Sequence, residues 1–499
     1  MSYFTSNLMS IVDEQLIFDT DCKSIWSKYN NFDSLKPKEV ETIIGLINRF
    51  KLEDADRQVY NGYFVNYTVP QMSKEFDLLK VGERYVVDLE LKFARPAGDK
   101  LKKQQMENLH YLMAAFDDRE SHVITYILDE DKFFYNESEV EASAVIKILG
   151  FKGRNVLIDD YFNPKKFLVS PYNNPDKFLA NQYLLTSQQN TILYDLISKF
   201  DSKRGEVALV SGDAGTGKTL VALTLMKMYM NAKKKVVFVF GGNLNAGQRM
   251  LVTEGYNIIS VSTFVNRYGS MQDLPVDDVL FIFEESQRYR KNVTDIIDGL
   301  IERNLNMVLF YDPKQQLSKY EINDDTVGWI KNLSDFERTL SQKIRNNTDV
   351  AGFVKHFFDN SKRWHVTSSE AVTFEVVDSV EEGKEAAREL IDEGVKFIDL
   401  TPARLGRYLP TDNMKLGVED TSHSVLGQEF DHVAVMIDNS FKYSTDNKLT
   451  TQGYPSDTPY NPLKMLYQNM TRARFKLTVI VANNKELFAK IFYNTEVTR

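Results

Sequence analysis

The chain has 499 residues, of which 43% are hydrophobic and 26% charged, and its formal net charge is −9. This composition excludes a disordered chain, and the length corresponds to roughly three domains of about 150 residues each. The acidic total argues against a strongly basic nucleic-acid binder but allows a local basic groove. The single cysteine, Cys22, excludes intramolecular disulfides and multi-cysteine zinc sites. Because no apolar run approaches the about 18 residues that span a bilayer, and the first residues lack a signal-peptide pattern, we expect a cytoplasmic protein with no membrane partner.

The first third of the chain is predicted to combine helices with a hairpin. One amphipathic helix begins at Pro37, in a stretch of 60 residues that is mainly helical. Alternating apolar residues then predict two strands, at 74–80 and 85–93, joined by a turn. The elements that follow are predicted as a helix at 100–115, strands at 122–129 and 154–161, and a turn-rich boundary at 169–178.

From about residue 180 the chain alternates short apolar runs with helical stretches. Runs that are apolar throughout and bounded by Gly, Asp and Asn are typical of strands buried on both faces of a parallel sheet. These strands are predicted at 207–211, 236–240, 279–283, 307–311, 397–401, 432–437 and 477–481. Two α/β units that divide near 320–350 are therefore predicted.

The strongest pattern is the segment 212–219, Gly-Asp-Ala-Gly-Thr-Gly-Lys-Thr, which follows the first of these strands and begins a helix. It has the G-x-x-x-x-G-K-[ST] spacing of a P-loop in the strand–loop–helix context that a P-loop needs. Its glycines let backbone N–H groups wrap a phosphate at the helix N-terminus. The glycines concerned are Gly212, Gly215 and Gly217. Lys218 should reach the β- and γ-phosphates of a nucleotide, and Thr219 should hold Mg²⁺.

Two acidic residues, Glu284 and Glu285, follow the strand predicted at 279–283. The carboxyl ends of parallel strands meet at one edge of a sheet, so both acids are expected beside the P-loop. We assign Glu284 to the Mg²⁺ shell and Glu285 to activation of the attacking water, because a P-loop enzyme needs both functions. The alternative is an acidic strand end at the surface.

The region 180–499 resembles the motor of superfamily 1 helicases, in particular the compact Schlafen-type helicase domain. Besides the P-loop, the motifs are Leu-Thr-Ser-Gln-Gln at 185–189, Ser-Thr-Phe at 262–264, Glu-Glu-Ser-Gln at 284–287, Asp-Pro-Lys-Gln at 312–315, Gln-Lys-Ile-Arg at 342–345, a segment at 423–431 and Thr-Arg-Ala-Arg at 471–474. The resemblance implies ATP as the nucleotide, with Gln189 reading adenine and Gln315 sensing the γ-phosphate. It also implies that Arg345 and Arg472 stabilise the transition state from the second lobe. Three positions depart from the family pattern, with Glu284 for aspartate, Ile344 for tyrosine and Leu426 for glutamine.

The predicted hairpin carries a second set of charged residues. Period-two alternation puts Asp88, Glu90 and Lys92 on one face of its second strand. Asp77, thirteen residues before Glu90, completes a pattern that resembles the D…(D/E)-x-K core of PD-(D/E)XK nucleases. Carboxylates in this arrangement can hold Mg²⁺ or Mn²⁺, and a lysine can orient or deprotonate the attacking water. The alternative is an amphipathic hairpin with a solvated charged face.

Other side chains are weaker candidates at this second site. Glu41 on the preceding helix could complete the metal shell. Gln104 or Gln105, beside the basic run at 100–103, could contact the backbone of the strand to be cut.

Together these patterns predict an α/β protein in which two RecA-like parallel-sheet lobes follow a mixed α/β, restriction-endonuclease-like domain. The predicted domains are a nuclease domain at 1–175, an ATP-binding lobe at 176–330 and a second lobe at 331–499. The predicted function is an ATP- and Mg²⁺-dependent DNA helicase or translocase fused to a nuclease, and analogy suggests phage defence or DNA repair. The alternatives are an ATPase motor with a non-catalytic N-terminal binding module, an RNA-directed enzyme, and an ATP-gated switch that binds a protein partner.

Overall fold

A computed structural model describes most of the chain. The described ranges are 5–13, 35–70, 72, 74–136, 138–167, 169–270, 272, 278–316, 321, 324–341, 348–366, 370–402, 408–455, 460–492 and 495–497. Within these ranges the chain forms two compact units. The first unit comprises Met1–Leu168 and Gln182–Ser187, and the second comprises Val169–Asn181 and Gln188–Arg499. The chain therefore enters the second unit, returns to the first and enters the second again.

A seven-stranded sheet lies at the centre of the first unit. Its strands, which neighbour one another in chain order, are β1 (Ser6–Asn7), β2 (Asn61–Val69), β3 (Lys74–Val81), β4 (Tyr85–Lys92), β5 (Glu120–Ile127), β6 (Lys132–Tyr135) and β7 (Ser138–Val140). Neighbouring strands are antiparallel except for β4 and β5, which are parallel. The predicted hairpin is confirmed as β3 and β4, with Leu78 opposite Leu89.

Helices accompany this sheet in the first unit. In chain order they are α1 (Leu8–Asp13), α2 (Pro37–Leu52), α3 (Arg57–Tyr60), α4 (Lys100–Ala115), α5 (Ala142–Leu149), α6 (Ile158–Tyr161) and α7 (Pro164–Phe167). Pro37 begins α2 as predicted, because proline suits the first helical position. The apolar face of α2 joins Val87 and Leu89 of β4 in one core.

The strand predicted at 154–161 is wrong. Its second half forms the short helix α6, whose first turn holds Asp159 and Asp160. Acidic residues are favourable at a helix N-terminus and disfavoured in strands. The two aspartates therefore favour a helix here, although the alternation of apolar residues favours a strand.

A six-stranded parallel sheet lies in the N-terminal half of the second unit. In chain order its strands are β8 (Val207–Gly212), β9 (Lys235–Phe240), β10 (Ile258–Ser260), β11 (Val279–Glu284), β12 (Asn306–Tyr311) and β13 (Glu337–Leu340), and their spatial order is β10–β9–β11–β12–β8–β13. Every residue of β8, β11 and β12 is buried, as expected for strands covered on both faces. The strands predicted in this region are confirmed. The additional strand β13 extends the sheet beyond residue 330, where the predicted first lobe ends.

A four-stranded parallel sheet lies in the C-terminal half of the second unit. In chain order its strands are β15 (Val372–Val377), β16 (Lys396–Phe397), β17 (Phe430–Ile437) and β20 (Ala473–Ala482), and their spatial order is β15–β20–β17–β16. The remaining strands form two pairs, β14 (Trp364–Val366) with β21 (Thr495–Val497) and β18 (Phe441–Tyr443) with β19 (Leu449–Thr451). The strands predicted at 432–437 and 477–481 are confirmed.

The strand predicted at 397–401 is wrong over most of its length, because β16 ends at Phe397. Asp399 is buried and its carboxylate accepts the N–H groups of Leu416 and Gly417 at 3.0 and 2.8 Å. The backbone of Asp399 forms an isolated parallel bridge with Thr421, so here the chain pairs with a neighbouring loop, and the regular pairing of β16 with β17 has ended.

Helices surround both sheets of the second unit. In chain order they are α8 (Pro175–Leu179), α9 (Ser187–Ser202), α10 (Lys218–Asn231), α11 (Ala246–Thr253), α12 (Val261–Tyr268), α13 (Lys291–Glu302), α14 (Thr326–Asn332), α15 (Thr348–Phe358), α16 (Val380–Asp392), α17 (Pro462–Met470) and α18 (Lys485–Ile491). Across the described ranges of both units, the helices are too short or too polar to cross a membrane.

A buried lysine joins two helix ends in the first unit. Lys80 of β3 is 0% exposed, and its Nζ donates to the carbonyl oxygens of Gln58 in α3 and Leu149 in α5 at 2.6 and 2.8 Å. Burial lowers the pKa of Lys80 to about 7. The Lys80 ammonium group therefore links the two helices, and the free-energy cost of burying its charge depends on pH.

Lys80→Met should flatten the pH dependence of stability. Because the pKa of Lys80 is lower in the folded chain than in the unfolded chain, folding releases a proton above pH 7, and stability should rise with pH toward about 10. This group can contribute at most about 1.4 kcal/mol per pH unit. Unfolding temperatures across this pH range measure the effect, with the exposed Lys132→Met as control. Equal slopes for the wild type and Lys80→Met would contradict the expectation.

Candidate functional site

The glycine-rich loop lies between β8 and α10. Gly215 and Gly217 have φ angles of 77° and 87°, in the left-handed region where any other residue would be strained. Gly217 caps α10, whose first residues are Lys218 and Thr219. The backbone N–H groups of a first helical turn have no partner within the helix, so they are suited to bind an anion.

Lys218 lies over the loop that precedes it. Its Nζ donates to the carbonyl oxygens of Gly212 and Asp213 at 2.6 and 3.0 Å, and lies 3.7 Å from Asp312 Oδ2. Asp213 is paired with Lys314 at 2.8 Å. A bound phosphate would compete with these oxygens for the Lys218 ammonium group.

Glu284 ends β11, and Glu285 follows it at the carboxyl edge of the sheet. The two residues are 1% and 7% exposed, so the alternative of a solvated strand end is wrong. Burial, reinforced by the charge of Glu285, raises the pKa of Glu284 to about 7. The Thr219 and Tyr172 hydroxyls and the Lys218 ammonium group oppose this rise in pKa. Within the described ranges, Glu284 Oε1 is buried and has no hydrogen-bond partner.

One glutamine joins the acids that follow β11 and β12. Gln287 Nε2 donates to Glu285 Oε2 at 2.7 Å, and Gln287 Oε1 accepts the N–H of Asp312 at 3.0 Å. Gln315 is 4% exposed, and its N–H donates to the carbonyl oxygen of Asp312 at 3.2 Å. Hydrogen bonds therefore link the residues that follow β11 to those that follow β12, at the edge of the sheet where the P-loop lies.

Gln189 of α9 is also buried against the P-loop. Its Nε2 donates to the carbonyl oxygen of Thr216 at 3.1 Å. The preceding Gln188 instead contacts Ser341, which donates its N–H to Gln188 Oε1 at 3.2 Å. The structure thus places Gln189 next to the phosphate loop, and its contact with adenine stays a prediction.

The structure places one of the two predicted arginines. Arg345 belongs to the segment 342–347, which lies outside the described residues, as does Ile344. Arg472 is 4% exposed and follows α17. It donates to the carbonyl oxygens of Gln468 and Gln428 at 3.3 and 3.2 Å. Its role toward a nucleotide stays a prediction.

The charged residues of the hairpin lie together in the first unit. Glu90 is 1% exposed, and Lys92 Nζ lies 3.1 Å from its Oε2. Asp77 Oδ2 accepts the N–H of Leu91 at 2.8 Å, which holds the acid of β3 beside β4. Burial, and then the charge of Glu90, raise the pKa of Asp77 to about 8. The alternative of a solvated charged face is therefore wrong.

Two residues that the sequence analysis left without a role complete this cluster. Asp88 is fully buried, and Asn108 Nδ2 donates to Asp88 Oδ2 and Glu90 Oε1 at 2.6 and 2.7 Å. Gln104 donates to Glu90 Oε2, whereas Gln105 donates to β5 and β6 in the core. Gln104 and Asn108 are four residues apart on α4, so the periodicity of a helix could have identified them as a pair.

The other acid proposed for this site does not contribute. Glu41 is exposed, whereas Glu39 of the same helix adds to the rise in the pKa of Asp77 that burial and Glu90 produce. In the part of the chain that the structure describes, no group of three or more His, Cys, Asp or Glu residues is arranged to hold a metal ion. The repulsion between Asp77 and Glu90 favours a cation between them, but the cation would have to displace Lys92 from Glu90.

Comparison with known proteins points to a helicase domain. Residues 205–397 match the model of the family described as Schlafen group 3, DNA/RNA helicase domain. Similar solved structures include the Pif1 helicase from Candida albicans, with 12% identity and a TM-score of 0.33 over 61% of this chain and 98% of that chain. They also include the arterivirus nonstructural protein 10 helicase, with 13% identity and a TM-score of 0.31 over 59% of this chain and 64% of that chain. Among curated proteins none matches.

Lys218→Ala should weaken the binding of a fluorescent ATP analogue at least about tenfold, because a hydrogen bond to a charged group contributes about 1.5–3 kcal/mol. Equilibrium titration of the full chain measures the affinity. Lys234→Ala is the matched control, since Lys234 follows the same helix but is half-exposed and paired with Asp201. Equal affinities for the two variants would place the nucleotide elsewhere.

Proposed function

We propose that the second unit is an ATP-hydrolysing motor that moves on nucleic acid and that the first unit is a Mg²⁺-dependent nuclease. The observation that supports the motor most is the meeting of Lys218, Glu285 and Asp312 at one edge of a parallel sheet. The match of residues 205–397 to a DNA/RNA helicase domain supports nucleic acid as the track. DNA is the proposed substrate, and phage defence or DNA repair is the setting that this pairing of activities suits.

Glu285 is the residue that we assign to water activation. Gln287 holds its Oε2 and also binds the backbone of Asp312, so the carboxylate has a fixed orientation. A fixed carboxylate can accept the proton of a water that attacks the γ-phosphate. Lys218 would donate to the phosphate oxygens, where the ammonium group stabilises the charge of the transition state.

Thr219 and Glu284 are the residues that would hold Mg²⁺ in the motor. Glu284 Oε1 is buried and lacks a hydrogen-bond partner in the described ranges, and the Thr219 hydroxyl is close enough to oppose the rise in the pKa of Glu284. An unpaired buried carboxylate oxygen is costly, so these side chains fit a hard cation with oxygen ligands. When bound, Mg²⁺ supplies positive charge that offsets the charge of the phosphates.

The helix α17, from the C-terminal half of the second unit, lies beside the P-loop. Burial, and then the charges of Asp213 and Asp312, raise the pKa of Tyr467 in this helix. Arg472 follows the same helix, which supports it as a candidate to reach the γ-phosphate when the two halves close. Closure that depends on the nucleotide would let the unit step along a strand.

In the first unit we assign cleavage to Asp77, Glu90 and Lys92. The two carboxylates would hold the metal, and Lys92 would orient or deprotonate the attacking water. The order of a helix, a hairpin with these residues and a second helix with Gln104 supports a restriction-endonuclease-like core.

A binding module that does not cut is the second candidate for this unit. One observation favours it, because the Glu90 carboxylate already accepts hydrogen bonds from Lys92, Gln104 and Asn108. A metal ion would have to replace some of these donors, and a purely structural cluster would keep them.

Glu285→Gln should lower the kcat of ATP hydrolysis about 100-fold or more, because the amide cannot accept a proton as the carboxylate does. Binding of the ATP analogue should be retained. Phosphate release with single-stranded DNA, with RNA and without nucleic acid measures both catalysis and the preferred track. Glu302→Gln, at the exposed C-terminal end of α13, is the control. An ATPase rate that neither nucleic acid raises would favour the ATP-gated switch.

Glu90→Gln should abolish DNA cleavage in Mg²⁺ or Mn²⁺ and leave ATP hydrolysis unchanged, because the two sites lie in different units. Cleavage of labelled single- and double-stranded DNA, with and without ATP, is the measurement. The control is Glu83→Gln, since Glu83 lies in the turn of the same hairpin with an exposed side chain. A wild-type chain that hydrolyses ATP but never cuts would establish the binding module instead.

A further inference from the structure

Val169–Asn181 is the stretch of the second unit that precedes the return of the chain to the first unit, and we call it the connecting segment. Its Tyr172 is 3% exposed and donates its hydroxyl to Glu284 Oε2. Motif matching gives this residue no role, because it lies 112 residues before Glu284. The contact joins the connecting segment directly to one of the acids of the nucleotide site.

We propose that Tyr172 is a positioning residue for the Glu284 carboxylate, and that the connecting segment ties this carboxylate to the loop that binds Arg472. The proposal rests on the proposed Mg²⁺–nucleotide site of the motor and names a further residue of that site. Tyr172 acts through Glu284 and does not touch the nucleotide.

The ring of Tyr172 is held tightly on both sides. It packs edge-on against Phe240 of β9, with ring centroids 5.9 Å apart. A Cβ at position 427 would lie 2.7 Å from the ring, and a Cβ at position 247 would lie 1.9 Å from the Tyr172 carbonyl oxygen. Glycine at both positions therefore permits an approach that any side chain would block. The position of the hydroxyl is fixed by this packing.

Glu284 stands where the family pattern has aspartate, and the Tyr172 hydroxyl holds this longer side chain in place. Glutamate has one more rotatable bond than aspartate, so its carboxylate has more orientations to choose from and loses more entropy when it is fixed. The bond to Tyr172 holds Oε2 and leaves Oε1, the oxygen without a partner in the described ranges, for the metal. A tyrosine in the connecting segment thus offsets the extra length of Glu284.

The next residue extends the link to the C-terminal half of the second unit. Asn173 Oδ1 accepts the N–H of Glu429 at 2.9 Å and the hydroxyl of Ser170 at 2.7 Å. Glu429 follows Gln428, whose carbonyl oxygen accepts the Arg472 guanidinium at 3.2 Å. A continuous series of contacts therefore runs from the metal-binding carboxylate through two adjacent residues to the predicted arginine.

Tyr172→Phe tests the proposal, because it removes the hydroxyl and keeps the packing of the ring. Binding of a fluorescent ADP analogue is measured in EDTA and in Mg²⁺. We expect unchanged affinity in EDTA and a loss of at least about fivefold in the Mg²⁺-dependent gain in affinity. The Mg²⁺ concentration that half-activates ATP hydrolysis should rise by a similar factor. An unchanged Mg²⁺-dependent gain would overturn the proposal.

Glu284→Asp supplies the second arm of a double-mutant cycle. The shorter carboxylate withdraws from the Tyr172 hydroxyl, so adding Tyr172→Phe in this background should change the Mg²⁺-dependent gain less than about twofold. Equal effects of Tyr172→Phe in both backgrounds would show that Tyr172 does not act through Glu284.

Tyr443→Phe is the matched control for the loss of a buried hydroxyl. The Tyr443 hydroxyl donates to the carbonyl oxygen of Phe357 at 2.9 Å, in the C-terminal half of the second unit. This variant should leave Mg²⁺-dependent nucleotide binding unchanged. If Tyr443→Phe lost as much of the Mg²⁺-dependent gain in affinity as Tyr172→Phe, the effect of Tyr172→Phe would reflect a general loss of stability. A wild type that binds Mg²⁺–ADP but does not hydrolyse ATP would contradict the proposed motor and leave the positioning role intact.

Discussion

Both sites depend on one constraint, which is that buried carboxylates outnumber the lysines beside them. In the second unit the acids are Glu284, Glu285 and Asp312, and the lysine among them is Lys218. In the first unit the acids are the buried Asp88 and Glu90 and the half-buried Asp77, and the lysine paired with Glu90 is Lys92. A buried charge without a partner is costly, so each group must take up a proton or a cation, or accept hydrogen bonds from neutral donors. The arrangement around each site follows from that need.

Both sites use a carboxamide to hold two groups at once. Gln287 donates to Glu285 and accepts from the backbone of Asp312, while Asn108 donates to Asp88 and Glu90. An amide fixes a carboxylate without adding charge, so the acid keeps its capacity to bind a cation or accept a proton. A lysine in the same position would neutralise the acid.

The sequence predicted those features that depend on neighbours along the chain. Continuous apolar runs located the central parallel strands, and alternation located the hairpin that carries Asp77 and Glu90. The remaining features depend on residues far apart. In the strand β13 only the last residue is buried, two are half-buried and one is exposed, so it lacks the apolar pattern of a central strand. Tyr172 is recognisable as part of a site only when folding brings it to Glu284, because an isolated tyrosine carries no local signal.

The path of the chain between the two units has a consequence for their independence. The residues Gln182–Ser187 belong to the first unit, although they follow the connecting segment of the second. There the Leu185 carbonyl oxygen accepts the hydroxyl of Tyr111, and Leu184 is fully buried. During synthesis the first unit is therefore incomplete until the connecting segment has left the ribosome. Because the first unit consists of two separate segments of the chain, no single break in the sequence separates the two units. Recombination during evolution would therefore transfer both units together more readily than either one alone.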